Sequence, residues 1–427
     1  MKKSRIRTNL IIFAIGLVVC FGAILALCRD ETPPKDDDLR FVRRIIPDDE
    51  NAIYYFIQAA RKIYVPAGGW LSEERQWKAD STGEVAREVI DLNSEMFELM
   101  EKGLACPDAL APEPLRSTRY GLSKKYLNHW RSTAELFCLR AHRLAKNGHA
   151  KEAMDELLKA VTFGQLIENC RGGFKCYMTG SDIRSVGLFK MRKLLADTTL
   201  DHAALKSYIP ALDSRRADKE ALADTVKLEY PIAAEGIYNV LSGQDEVLSS
   251  LGGTKMPIWS YSFKPNETKR MLADAHRMCL ANIPKKASDQ TPFELSKEFI
   301  SPRPFSPERS FFAKARLLLA RNGAGKRVYQ NTAYLLSVTP KIKCRDEDSI
   351  TATQISIALK CHKLRTGDLP ESLDELVPEY FDQVPKDNWD GRPMRYSKEK
   401  KSIYVKRAAW MFGEKSGPKD DAIEIGF

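Results

Sequence analysis

The segment Gly323-Ala324-Gly325-Lys326 is the stretch that most invites a phosphate-binding reading. A Walker loop wraps phosphates with backbone N–H groups and a lysine. It needs a glycine five places before Gly325 and Ser or Thr after the lysine. Ala320 and Arg327 stand there, so the segment reads as a helix-breaking connector. The six histidines, His129, His142, His149, His202, His276 and His362, form neither H-E-x-x-H nor a pair four residues apart. No G-x-S-x-G elbow gives a serine nucleophile a foothold. Among the nine cysteines, Cys170 and Cys176 are the close pair, with Gly172 and Gly173 between them. That spacing is looser than a zinc site uses and leaves a disulfide open. Asp155-Glu156 and Asp374-Glu375 are adjacent pairs on expected helices. Neighbours on a helix diverge by about 100°, so both pairs read as solvated faces. Trp70, Trp259 and Tyr261 fall in loops, where they would touch a ligand or cap a core. The sequence thus assigns no catalytic and no cofactor-binding residue.

The elements that would carry such groups are mostly helical. The chain has 427 residues, 43% hydrophobic and 29% charged, which is globular composition. Its net charge of +10 is spread among acids rather than gathered into a patch, which argues against a nucleic-acid partner.

Residues 10–27 read LIIFAIGLVVCFGAILAL, 18 residues without a charge. As a helix they span about 27 Å, close to a hydrocarbon core of roughly 30 Å. Lys2, Lys3, Arg5 and Arg7 precede the run and an acidic stretch from Asp30 follows it. The positive-inside rule then places the N-terminus in the cytoplasm and the bulk outside. The expectation is a transmembrane anchor at 9–28 of a bacterial inner-membrane, single-pass protein, with membrane lipid as its partner. A lipoprotein at Cys28 and a cleaved signal peptide are the alternatives.

After a Pro-rich charged linker at 29–48, Asp48 or Asp49 can cap a helix starting near Asn51. A helix is expected over 82–102, then a hairpin of 130–147 and 149–170 joined at Gly148. Ala141, Leu144, Gly148, Ala153, Leu157 and Ala160 resemble the spacing of one tetratricopeptide-type unit. A single copy implies a helical-hairpin body rather than a solenoid. Further helices are expected over 181–197, 203–212, 218–241 (kinked at Pro231), 267–282, 308–321 and 325–336.

From Ser349 the texture changes. A helix ends at Gly367, then come Asp368-Leu369-Pro370, Leu373 to Leu376, Val384-Pro385, Asn388-Trp389-Asp390-Gly391 and an alternating hairpin. This order resembles the C-terminal domain of the type II secretion system major pseudopilin, the G-type protein. That resemblance implies a small α+β module at 346–427. It also implies calcium near Gly413, Gly417, Asp420, Asp421 and Glu424, with an exposed acidic tail as the alternative. The N-terminal run lacks the processed segment of a pseudopilin, which argues against filament assembly.

The arrangement as a whole is similar to uncharacterised bacterial single-pass envelope proteins with a PDDENA-type entry and an Arg321-Asn322-x-x-Gly325-Lys326 segment. The expected architecture is mainly α. It comprises a cytoplasmic tail at 1–8, the anchor, the linker, a helical extracytoplasmic body at 49–345 and the α+β module. The expected function is protein–protein contact with other envelope proteins. An accessory role in a secretion or pilus-like apparatus and an enzyme of unfamiliar type are the alternatives.

Overall fold

The computed structural model describes residues 15–18, 29–64, 83–112, 124–241, 263–293, 322–407 and 419–427. Trp70, Trp259, Tyr261, Gly413, Gly417 and the helix expected over 308–321 lie outside the described residues. Among the described residues the chain is mainly helical with one small antiparallel sheet. It divides into two units. One comprises Met1–Phe41, Lys227–Leu280 and Thr291–Val338, the other Val42–Val226, Ala281–Gln290 and Thr339–Phe427.

The membrane expectation requires correction. Among the described residues no helix is long and apolar enough to cross a membrane. A span needs about 20 apolar residues. Of the run at 10–27, the described residues are Ile15, Gly16, Leu17 and Val18, which are helical; the rest of the run lies outside them. The transmembrane helix in the fold class, the single-pass assignment and the inner-membrane location are therefore not retained.

The larger unit begins with α1 (Ala52–Lys62). Its cap is Asn51, not an aspartate: Asp48–Glu50 form a short 3-10 turn before it. The Asn51 carboxamide accepts from Ile53 N at 3.1 Å and Leu110 N at 2.9 Å, and donates to Leu110 O at 2.9 Å. One side chain thus starts the helix and pins a distant loop to it. The helix expected over 82–102 is two, α2 (Glu84–Leu92) and α3 (Ser94–Leu104). The break is Asn93, whose buried side chain donates to Val89 O and accepts from Tyr64 N. Asparagine competes for backbone groups in this way, which is why it interrupts helices.

Next come α4 (Lys124–Lys146), α5 (Ala150–Asn169), α6 (Phe174–Asp197) and α7 (His202–Asp213). Gly148, at φ 87°, makes the α4–α5 turn, and Arg171 and Gly173, at φ 55° and 84°, make the α5–α6 turn. The crossing of α5 and α6 is backbone on backbone. A methyl group on Gly180 would lie 2.5 Å from Glu168 N and from Gly164 O, and one on Gly164 would lie 2.6 Å from Arg184 N. Glycine at both places lets the helices approach closer than any side chain permits.

After α8 (Lys219–Leu241) and α9 (Pro265–Asn282) comes α10 (Gly323–Thr366), which continues through Pro340. Three of the five unit boundaries fall within these helices. Gly367, at φ 88°, ends α10. Strands β1 (Arg395–Ser397), β2 (Ser402–Arg407) and β3 (Lys419–Glu424) form an antiparallel sheet in that order, with Tyr396 opposite Ile403 and Ile403 opposite Ile423. Ile403, Val405 and Ile423 are buried in one core with Leu157, Leu188, Leu205 and Ile355. A second core in this unit gathers Phe56, Met96, Phe137 and Phe163 around Trp130, whose indole N–H donates to Phe56 O.

In the smaller unit, residues 30–39 lie along α9. The Asp30 carboxylate accepts from Asn266 N at 2.9 Å and Glu267 N at 3.2 Å, capping the helix. Glu31 pairs with Arg270 at 2.7 Å, Asp36 with Lys269 at 2.8 Å and Asp38 with Arg277 at 2.8 Å. Tyr230 donates to Asp36 at 2.6 Å. Leu39 is buried beside Tyr230, Ile237, Phe263 and Leu272.

Candidate binding cleft

A cleft of about 910 Å³ runs between α4 and α6 in the larger unit. The two helices are parallel, because α5 returns the chain between them. Arg131 near the start of α4 pairs with Asp182 near the start of α6 at 3.1 Å. Fifteen residues on, Lys146 and Asp197 line the far end with Thr198, Thr199 and Gly426. At 1.5 Å per residue the cleft is about 22 Å long.

Its floor is apolar. Ala134, Cys138, Ala141 and Ala145 share one face of α4, at the three- and four-residue spacing of a helical stripe. Ile183, Val186 and Leu194 face them from α6, with Leu157 of α5 beneath. Phe189 stands on the α6 wall with 48% of its surface exposed.

The rim is basic. Arg131, Lys146, Lys190 and Lys193 line it against Glu135, Asp182 and Asp197. Among the described residues Lys146, Lys190 and Lys193 enter no ion pair, although the Lys193 ammonium lies 5.7 Å from the centre of the Phe189 ring. His142 has its pKa lowered by burial and by Lys146 and Lys190, so it is neutral near pH 7. Burial pushes the Cys138 thiol up to about 12, with Glu135 adding to the effect. A thiol so placed is not a nucleophile at neutral pH. The cleft therefore holds binding surface and charge rather than an activated group.

The larger unit also holds a buried ionic cluster. Arg184 Nη2 lies 3.0 Å from Glu168 Oε2 and 3.6 Å from Asp346 Oδ2, all three side chains being at most 1% exposed. Ser181 donates to Asp346 at 2.6 Å, and Arg345 donates to Ser181 and to Asp346. Among the described residues neither oxygen of Glu168 nor the Tyr177 hydroxyl makes a hydrogen bond. Burial raises the Glu168 carboxyl to about 8; Arg184 opposes this and Asp346 adds to it.

The groups singled out in sequence disperse. His142 is in the cleft. His149 lies in the exposed hairpin turn, 3.6 Å from Glu152. His129 contacts Ala60 O and His276 contacts Leu272 O. His202 contacts the Tyr380 hydroxyl, and His362 lies 3.8 Å from Glu375. Gly325 is pressed against Thr268 and Asn322, and Lys326 N donates to Asn322 O as an ordinary first helical turn. Cys170 and Cys176 are buried and not joined in a disulfide. Asp155-Glu156 is not a solvated face: Glu156 is 9% exposed and paired with Arg140 and Lys159, and Asp155 accepts from Tyr208 at 2.6 Å. Asp374-Glu375 serves a capping box with Ser372. Asp420, Asp421 and Glu424 lie on β3, and among the described residues no group of three or more His, Cys, Asp or Glu is placed to hold a metal ion. The sequence reading missed the cleft. Its signal is the stripe Ala134, Cys138, Ala141, Ala145 bordered by basic residues.

No protein-family model, curated protein or solved structure matches this chain.

Proposed function

We propose that the chain is a non-catalytic recognition module whose contact surface is the cleft between α4 and α6. The observation that carries this reading is a cleft of about 910 Å³ on which Phe189 stands exposed beside half-buried Val186 and Leu194, with Lys146, Lys190 and Lys193 entering no ion pair among the described residues. Soluble proteins rarely leave contiguous apolar surface uncovered without a binding role. The test is site-specific photo-crosslinking in cells, with the photoreactive residue at 189 and, as control, at exposed Leu364 outside the cleft. The expected result is a discrete polypeptide adduct at 189 only, which is then identified and reconstituted from purified components. Identical adduct patterns at both positions would overturn the reading.

A further inference from the structure

We infer that Cys170 and Cys176 are a disulfide-forming pair, which closes a covalent staple across the α5–α6 turn when the chain meets an oxidant of the low-molecular-weight disulfide class. This modification site is separate from the cleft and does not rest on the recognition-module reading.

The turn brings the two sulfurs to one place. Cys170 is the capping residue that ends α5, and Cys176 is the third residue of α6. Between them Arg171 and Gly173, at φ 55° and 84°, reverse the chain. A methyl group on Gly172 would lie 2.5 Å from Cys176 Sγ and 3.0 Å from Cys170 Sγ. With those two distances laid end to end the sulfurs are at most about 5.5 Å apart, a gap that side-chain rotation can close to bonding distance. Glycine at 172 keeps the space beside both sulfurs clear of a side chain.

The turn is also held in this form. Ala111 N donates to Cys170 O at 2.7 Å. Arg171 Nε donates to Asp224 at 2.8 Å, and its Nη1 to Asn169 O at 3.1 Å. Both cysteines belong to the core that contains Phe56 and Phe163, and both are buried. A pair that the fold holds close bridges more readily than the same pair in an unfolded chain. By linkage, the bridge stabilises the fold by the same factor.

The chemistry is two thiol–disulfide exchanges. Burial makes the first depend on a local opening of the turn. One cysteine gives its proton to solvent and attacks a sulfur of oxidised glutathione. A mixed disulfide forms and one glutathione thiolate leaves. The second cysteine, likewise deprotonated, attacks the sulfur of the first. The Cys170–Cys176 bond forms and the second glutathione thiolate leaves. The two cysteines lose two electrons, the oxidant gains them, and the two protons end on the two glutathione thiols.

The experiment equilibrates the full chain in glutathione buffers of graded reduced-to-oxidised ratio, native and in urea, starting from reduced and from oxidised protein. Samples are quenched with acid, alkylated and mapped by mass spectrometry. The expected product is a 170–176 peptide lacking two hydrogens, with an equilibrium constant for bridging about ten-fold larger in the native chain than in urea. Where native exchange is too slow to equilibrate, the unfolding equilibria of the bridged and reduced chains give the same ratio by linkage. Gly172→Ala should lower the native constant towards its value in urea, because the methyl stands against both sulfurs. Gly148→Ala, in the α4–α5 turn, should leave it unchanged. If Gly172→Ala does not fold, the wild-type comparison decides alone. A constant no larger in the native chain than in urea, a bridged chain less stable than the reduced one, or native bridges that join Cys170 or Cys176 mainly to other cysteines would overturn the proposal.

Discussion

Replacing Glu168 by glutamine should change how stability depends on pH, and even its sign at the alkaline end. Glu168 is wholly buried on α5, with Arg184 at 3.0 Å and no hydrogen bond to either oxygen among the described residues. Arg184 also faces Asp346 at 3.6 Å, so one guanidinium serves two carboxylates. Desolvation dominates and raises the Glu168 carboxyl to about 8, against an ordinary value of 4.5. An acid raised on folding holds its proton in the folded state where the unfolded chain has lost it. Its contribution is complete below about pH 4.5 and is lost as pH climbs towards 8. The full difference is worth on the order of 5 kcal/mol. In Glu168→Gln that dependence is absent. The variant should match wild type near pH 5 and exceed it at pH 8.5. Urea unfolding at half-unit steps from pH 5 to 8.5, followed by tryptophan fluorescence and far-UV circular dichroism, measures both slopes. Parallel curves for the two proteins, or a wild type that gains stability through this window on account of residue 168, would refute the reasoning. Arg184→Met complements the test. At neutral pH, where Glu168 holds its proton, it takes the Arg184 charge from the buried Asp346 carboxylate and should cost about 3–5 kcal/mol.

Gly180→Ala should destabilise by about 1–3 kcal/mol in thermal unfolding although alanine is the better helix former, because the new methyl meets backbone of α5 that cannot yield. Gly148→Ala meets nothing within 4 Å and should cost about 1–2 kcal/mol through its left-handed backbone alone. Asp38→Asn should increase hydrogen exchange in α9 at low ionic strength. The difference from wild type should close in molar salt, since the Arg277 pair is exposed and screened. Pulsed alkylation of the native chain at pH 7.5, read by mass spectrometry, should label Cys106 well before Cys138, Cys344 and Cys361. Cys106 is partly exposed, whereas burial pushes the other three thiols up to about 12.

The α4–α5 hairpin is legible because two amphipathic runs meet at Gly148, and only glycine readily takes the φ of 87° found there. The stop at Gly367 and the turn at Gly391, with φ of 88° and 74°, are legible for the same reason. Asn93 hides a break because a single asparagine inside a periodic run gives no warning until its side chain finds partners at Val89 and Tyr64. Pro340 misleads in the other direction. It marks an end in local terms, yet α10 continues through it, with Leu336, Val338, Ile342 and Cys344 buried on either side. Strand β3 is masked by composition: Lys419, Asp420 and Asp421 read as a solvated tail, and strand identity comes from pairing with β2, which no local pattern encodes. The cleft escapes the sequence because it depends on α6 returning parallel to α4, and each wall alone is an unremarkable amphipathic face.

The acidic segment that lies along α9 also fixes an order of events during synthesis. Its contacts join residues far apart in the chain: Asp30 to Asn266, Asp38 to Arg277 and Lys35 to Arg277 are separated by 236, 239 and 242 positions. At about 5–20 residues per second, the segment waits roughly 10–50 s for its partner helix to be made. Through that interval Leu39 has no core to enter. The neighbouring Asp36, Asp37 and Asp38 keep the stretch hydrated and mutually repelling, so the composition that looks like a mere spacer also protects the nascent chain from premature association. The smaller unit, assembled from three stretches of chain with this one first, is consequently a late product of folding by construction.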